Sequence, residues 1–445
     1  LELEKNNIAI DFGLNHKFNE KGTTLKFNAH YTNFDNTRLQ DVNTNYFLPD
    51  QSFLRNNSFL TDAAQDINIY VGQLDFSTQL FKMPFDMGTK ASSINTERGI
   101  DFFDNINGLL QFNPQLSDHF KYEENVYAGY FSISKNWEKW RIRAGLRGEY
   151  TETSGNSVTL GQETEKNYMD WFPGANINFI PHQNHTFVLA YNRSIERPNY
   201  SLLNPFSYFI NENNFTTGDP NLQPAITNRY SLEYVAENKY TFEFYYRTTK
   251  GAVDVLSFQN NENRFLRSIS TNIEDKQGYG LEFKYFTYIK DWWFFYHYNS
   301  LFYEKNSFVA IESDNEFVTI SSSGMFTQLI NRFTINKDGT FTGDLTLMHL
   351  TSLATGTYIM DDFTLVSAGL RKSFWDNRAS LSVTVNDIFD TFNRKLQTDF
   401  LNQRNSYFAI TESRYLQVGF TYNFGNFRLK DNAKHIRNEE RNRID

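Results

Sequence analysis

The chain has 445 residues, 17% of them aromatic, no cysteine and a formal charge of −9. The acidic balance gives no basic footprint for nucleic acid, and the lack of cysteine excludes disulfides, thiolate metal sites and cysteine nucleophiles. Mean hydropathy is −0.58 despite 44 Phe and 26 Tyr, so apolar and polar residues must interleave, as they do in a sheet with one apolar and one polar face.

The sequence has no apolar run of about 18 residues, and so no candidate transmembrane helix. Its opening, LELEKNN, has neither an initiating Met nor a signal-peptide pattern, so the chain is expected to continue upstream. A first strand is read at 7–18, closed by a short polar turn at 19–21. In 24–31, TLKFNAHY, Leu25, Phe27, Ala29 and Tyr31 alternate with Thr24, Lys26, Asn28 and His30. A long Asn-rich connection at 34–65 follows, then a short turn at 82–86, a long connection at 99–121 and a short turn at 136–139. Residues 140–150, WRIRAGLRGEY, set Trp140, Ile142, Ala144, Leu146 and Tyr150 against Arg141, Arg143, Arg147 and Glu149.

After a long connection at 154–167 comes the turn 181–185, which contains HQNH. A strand at 186–195 leads into the connection 196–223; Pro198, Pro205 and Pro220 within it, Pro224 directly after it and Pro181 just upstream are five of the nine prolines. Proline breaks ladders, so this is a long loop with a shape of its own. A strand at 225–236, short turns at 237–239, 289–291, 336–339 and 374–378, and long connections at 257–277, 304–322 and 387–413 complete the pattern. Period-2 strands recur at 279–285 and 379–386. The last, at 414–424, carries Leu416, Val418, Phe420, Tyr422 and Phe424 on one face. The tail, 426–445, is densely charged and is expected to be a mobile periplasmic extension.

Strands of about 10–14 residues are long for soluble sheets and suit a tilted bilayer crossing. Short turns alternating with long loops, and aromatic residues at strand ends, complete the pattern of an all-β, antiparallel transmembrane β-barrel over 1–425. About 17 strands are read, with the first and last both running toward the short-turn, periplasmic side. Single-chain bacterial barrels have even strand numbers with both ends periplasmic, so further strands are expected upstream.

Arg141, Arg143, Arg147 and Glu149 share one strand face, which must be the lumen face because Arg toward lipid at mid-depth costs about 2–4 kcal/mol. They form either a basic ladder for anionic solutes or a cross-strand ion-pair network, the reading we favour. Trp292 and Trp293 are expected at the membrane interface. His182 and His185 have i, i+3 spacing but read as a solvated turn, and the carboxylate pairs Asp35/Asp41, Glu163/Glu165 and Asp361/Asp362 lack EF-hand spacing. No cofactor, metal site or catalytic constellation is picked out.

The run YNRSIERPNYSLLNPF, then TTGDPNLQP, then NRYSLEY, resembles the signature of TonB-dependent outer-membrane receptors, in particular the outer-membrane β-barrel family common in Bacteroidetes. GLRGEYTETSG, YMDWFPGANINF, GYGLEFKY, VNDIFDTFN and LQVGFTYNFG follow the same family order, so that the resemblance covers 7–425. It implies a 22-stranded barrel of a Gram-negative outer membrane, here the later strands, with a plug and a TonB-contact segment upstream. It further implies uptake of a scarce solute met first by external loops. Candidate loop contacts are Arg197, Asn199, Tyr200, Asn204, Phe206 and Asp219. Expected partners are outer-membrane lipids, TonB through the upstream segment, and other outer-membrane or periplasmic subunits. The rival reading is a structural or complex-forming barrel that transports nothing.

Overall fold

The computed structural model describes residues 1–20, 22–159, 161–425 and 439–444. Among them, seventeen strands follow one another around one antiparallel wall. These are β1 (Glu2–Lys17), β2 (Thr24–Phe47), β3 (Phe53–Leu80), β4 (Met83–Ile106), β5 (Asp118–Asn136), β6 (Trp140–Ser157), β7 (Gln162–His182), β8 (His185–Glu196) and β9 (Ala225–Ala236). The wall continues with β10 (Tyr240–Asn260), β11 (Phe265–Lys290), β12 (Trp293–Ala310), β13 (Glu316–Thr334), β14 (Phe341–Leu350), β15 (Phe363–Phe374), β16 (Ala379–Asn386) and β17 (Tyr415–Tyr422). Each pairs with its chain neighbour. Among the described residues β1 and β17 do not pair with each other, so each keeps one bare edge.

The alternation read in the sequence sorts the two faces in the reverse of a soluble protein. Trp140 is 43% exposed and Phe27 39%, while Leu25, Ile142 and Leu146 are half-buried. Tyr127, Phe131, Leu189, Leu232, Phe244 and Leu281 join them in an outward apolar belt. Facing inward are His30, Thr32, Ser92, Thr96, Glu124, Glu149 and Thr151, all buried. Such a surface is stable where the outside is hydrocarbon and the polar residues face a lumen. Between neighbouring strands it also satisfies the backbone, because ladder bonds pair the groups where water is absent.

The two ends differ. At one, β3 and β4 are joined by Phe81 and Lys82 alone, both at positive φ (50° and 63°), the geometry a two-residue hairpin needs to match strand twist. Glu237 and Asn238 also take positive φ (52° and 54°) in the three-residue connection between β9 and β10. At the other end, several connections expected to be long loops are strands instead. β2, β3 and β11 run for 24, 28 and 26 residues, so that 34–65, 257–277 and 304–322 shrink to turns at 48–52, 261–264 and 311–315. The reason is cross-strand polar pairing beyond the bilayer. Asn33 Nδ2 donates to Asp66 (2.9 Å), and the Ser307 and Thr319 hydroxyls lie 2.9 Å apart.

Residues 387–414 stay long as read, and 351–362 is a further long connection that the sequence reading did not name. Residues 351–362 and 387–414 jointly build a four-stranded sheet (Leu353–Thr355, Tyr358–Met360, Arg394–Phe400 and Gln403–Ala409) at the rim. It leans on a buried cluster of Leu256, Phe258, Phe308 and Ala310 through Phe400. The fully buried Gln403 extends the ladder sideways: it accepts from Gln259 N (2.7 Å) and donates to Gln259 O (3.0 Å).

Candidate functional site

The remaining long connection, 197–224, folds inward. Asn199 leads into a 3-10 turn at Tyr200–Leu203, and Asn204 Oδ1 accepts from Phe206 N (3.0 Å), bending the chain around Pro205. Tyr200, Leu203, Phe206 and Leu222 then pack on Phe34, Ile67, Ile94 and Phe120 of the inner wall. The loop's return explains GDP: a Cβ on Gly218 would lie 2.2 Å from Asn204 O and 2.4 Å from Leu202 O, so only glycine fits. Asp219 N donates to Leu202 O (2.8 Å), and Asp219 Oδ1 accepts from Asn221 N (2.7 Å).

Between these turns the hairpin Ser207–Asn211 and Asn214–Thr217 crosses the mouth. One strand of it pairs in parallel with Leu266–Ile269 of β11. Its tip reaches β2 and β3: Tyr46 donates to Asn213 (3.1 Å), Gln40 to Phe209 O (3.1 Å), and Arg55 pairs with Glu212. The Arg55 guanidinium holds the Glu212 carboxyl well below its usual range, to about 2. The loop thus ties opposite parts of the wall together above the lumen.

Below it lies a cavity of about 830 Å³, lined in part by Arg143, Arg147, Glu149, Asn176 and Arg197. Glu149 is its hub. The carboxylate, 3% exposed, accepts from Arg147 on its own strand and from Arg197 at the loop's first residue (2.7 Å), while Arg197 also donates to Thr151 (3.0 Å). The neighbouring cations are paired too: Arg143 with Asp86 (3.7 Å) and Arg193 with Asp170 (3.8 Å). Across the lumen Arg247 pairs with Glu304, in space that Gly278 leaves free.

Residues Glu439–Ile444 also lie in the lumen, above this cavity. Arg443 is buried against Glu124 (2.5 and 3.1 Å), donates from Nε to Pro198 O (2.9 Å) and stacks 4.3 Å over Tyr200. Glu440 meets Lys90 (2.9 Å). The sequence reading of 426–445 as an extension does not describe these six residues; 426–438 and 445 lie outside the described residues.

Of the residues singled out beforehand, Arg143, Arg147 and Glu149 come together on the cavity wall with Arg197, whereas Arg141 is exposed near the turn end. Tyr200, Asn204 and Phe206 are buried anchors of the loop, with Asn199 and Asp219 partly exposed beside them. Glu124, Lys90 and Arg443 were not singled out; an inward Glu and Lys in alternating strands were the one trace they left. The His182 and His185 rings are 6.1 Å apart, with His185 bonded to Tyr234 (2.9 Å). Among the described residues no three His, Asp or Glu side chains could hold one metal ion. Trp293 donates to Asn331 (2.9 Å), and Trp292 beside it is 52% exposed at the short-turn end.

The profile of the outer membrane protein beta-barrel family matches residues 16–422. The chain belongs to this family. It is an outer-membrane barrel, with apolar belt outward and polar lumen inward. No curated protein sequence matches it. Among solved structures, its fold is similar to that of the ferric-catecholate import receptor Fiu of E. coli K12 (TM-score 0.64, 12% identity, 95% of this chain and 64% of that one). It is also similar to the ferric yersiniabactin uptake receptor FyuA of Yersinia pestis (0.63, 12%, 95% and 62%) and to the copper transporter OprC (0.62, 10%, 94% and 72%). The barrel chain thus spans less than two thirds of the first two.

Proposed function

We propose that the barrel is the wall of an outer-membrane receptor of TonB-dependent type, of the kind whose motif order it resembles in Bacteroidetes, and that it takes up a solute not yet identified. The observation that carries this reading is the roofed, charged cavity. A volume of about 830 Å³ is within the range of small-molecule sites, and a folded loop rather than open water lies above it. The likeness of fold to two iron-compound receptors and a copper transporter supports uptake as the task. Since each cavity cation named above has an acidic partner, charge alone does not choose the solute.

In this reading the loops at 197–224 and at the rim meet the solute first, and the paired Arg and Glu groups rearrange around it. TonB acts through a segment upstream, the short turns and the end of β17 face the periplasm, and additional strands bring the wall to 22. The work is binding and passage rather than catalysis. The test is uptake of labelled ferric chelates, oligosaccharides, peptides and cobalamin by cells with and without the protein. The expected outcome is that one class enters only with the protein and stops when the inner-membrane proton gradient is collapsed. Uptake that ignores the protein for every class would refute the proposal.

A further inference from the structure

The six residues Glu439–Ile444 read EERNRI, a sequence with no apolar face to draw it inside. Burying charge is favourable only when partners are already in place. Here they are. Lys90 of β4 takes Glu440, and Glu124 of β5, 2% exposed, takes both terminal nitrogens of Arg443. The Pro198 carbonyl takes the remaining Nε, Tyr200 covers the guanidinium face, and its hydroxyl donates to Glu440 O (3.3 Å). Ile444 ends on the apolar cluster beneath the loop. Two wall strands and the infolded loop therefore form a socket that reads an acid, then a base three residues on, then an apolar side chain. A bidentate, stacked guanidinium is a contact lysine would not reproduce.

We propose that this socket is a peptide-binding site, that its ligand is the chain's own segment Glu439–Ile444, and that the seated segment stoppers the cavity below. Occupancy of the socket does not depend on uptake, so the two proposals fail separately. The segment clamps Pro198 and Tyr200, the first residues of the loop, so its withdrawal frees both the cavity and the root of the roof.

A zero-length carbodiimide, which condenses an amine with a carboxylate in contact with it, tests the seating on the full chain in outer-membrane vesicles. Mass spectrometry should find an intrachain Lys90–Glu440 or Lys90–Glu439 amide. The exposed Lys121–Glu97 pair, 2.7 Å apart, should couple in the same sample and reports that the wall is folded. Glu124→Gln and Arg443→Gln should each cut the Lys90 link severalfold and leave the Lys121 link unchanged. Coupling at Lys121 with none at Lys90, or a Lys90 link between two copies, would overturn the assignment. For the stopper, a single Ser132→Cys in this cysteine-free chain is timed with a hydrophilic maleimide. Its labelling should speed up severalfold when Glu124→Gln is added. An unchanged rate alongside a lost Lys90 link would show that the segment binds without closing the cavity, and would sink the stopper.

Discussion

Glu149 and Gly218 show how single residues seat the roof. Glu149 is buried between two guanidiniums, one on the wall and one at the root of the loop. Removing one partner of a buried ion pair costs about 3–5 kcal/mol, because the other charge is stranded. Glu149→Gln is therefore expected to lower barrel stability by about that amount in denaturant titration, whereas Arg141→Gln, on the same face but exposed, should stay within about 0.5 kcal/mol. Gly218→Ala acts differently. Its methyl group would overlap two loop carbonyls, which backbone cannot evade as a flexible side chain can. The expected result is new protease cleavage within 197–224 in a wall that remains intact.

Among the elements, the mouth-crossing hairpin (Ser207–Asn211 with Asn214–Thr217) has an attachment that depends on pH. Glu212 titrates at about 2 when docked, below its ordinary value, chiefly because Arg55 donates to it. A depressed carboxyl contributes stability above its unfolded pKa and loses it as pH falls through the folded value. The hairpin tip should therefore stay docked at pH 5 and release between roughly pH 4.5 and 2; Glu212→Gln should remove that transition. A fluorophore on the hairpin, read against the wall, measures it. The sequence showed the wall strands well, since apolar alternation has a period that local residues alone declare. It showed the outer hairpins poorly. Asn33, Asp66, Ser307 and Thr319 look like loop residues one at a time and become strand residues only when each finds its partner. The site divides in the same way. Arg147 and Glu149 are two residues apart and visibly share a face, but Glu124 and Arg443 are joined by a fold, and no spacing in one sequence announces that pairing.

At the scale of the whole molecule, the decisive property is a surface turned inside out. Leu189 and Leu232 face each other in register on the outside, 55% and 53% exposed. Leu232→Arg should cost about 2–4 kcal/mol if that position is near mid-bilayer, seen as a lower folded fraction in lipid vesicles. Thr227→Arg, toward the lumen and nearer the rim, should be tolerated better. Equal effects would contradict the assignment of faces.

The order of the strands around the wall has one further consequence, for assembly. Every rung of the wall joins chain neighbours, most of them across short turns, so the wall can be laid down one hairpin at a time with mainly local contacts, the cheapest kind to form. The bridge from 207–217 to Tyr46 and Arg55 is different, as is the seat of Arg443 on Glu124: it joins positions more than 150 residues apart. It has nowhere to land until both sides of the mouth stand. The roof can therefore dock only after the strands on both sides of the mouth have formed.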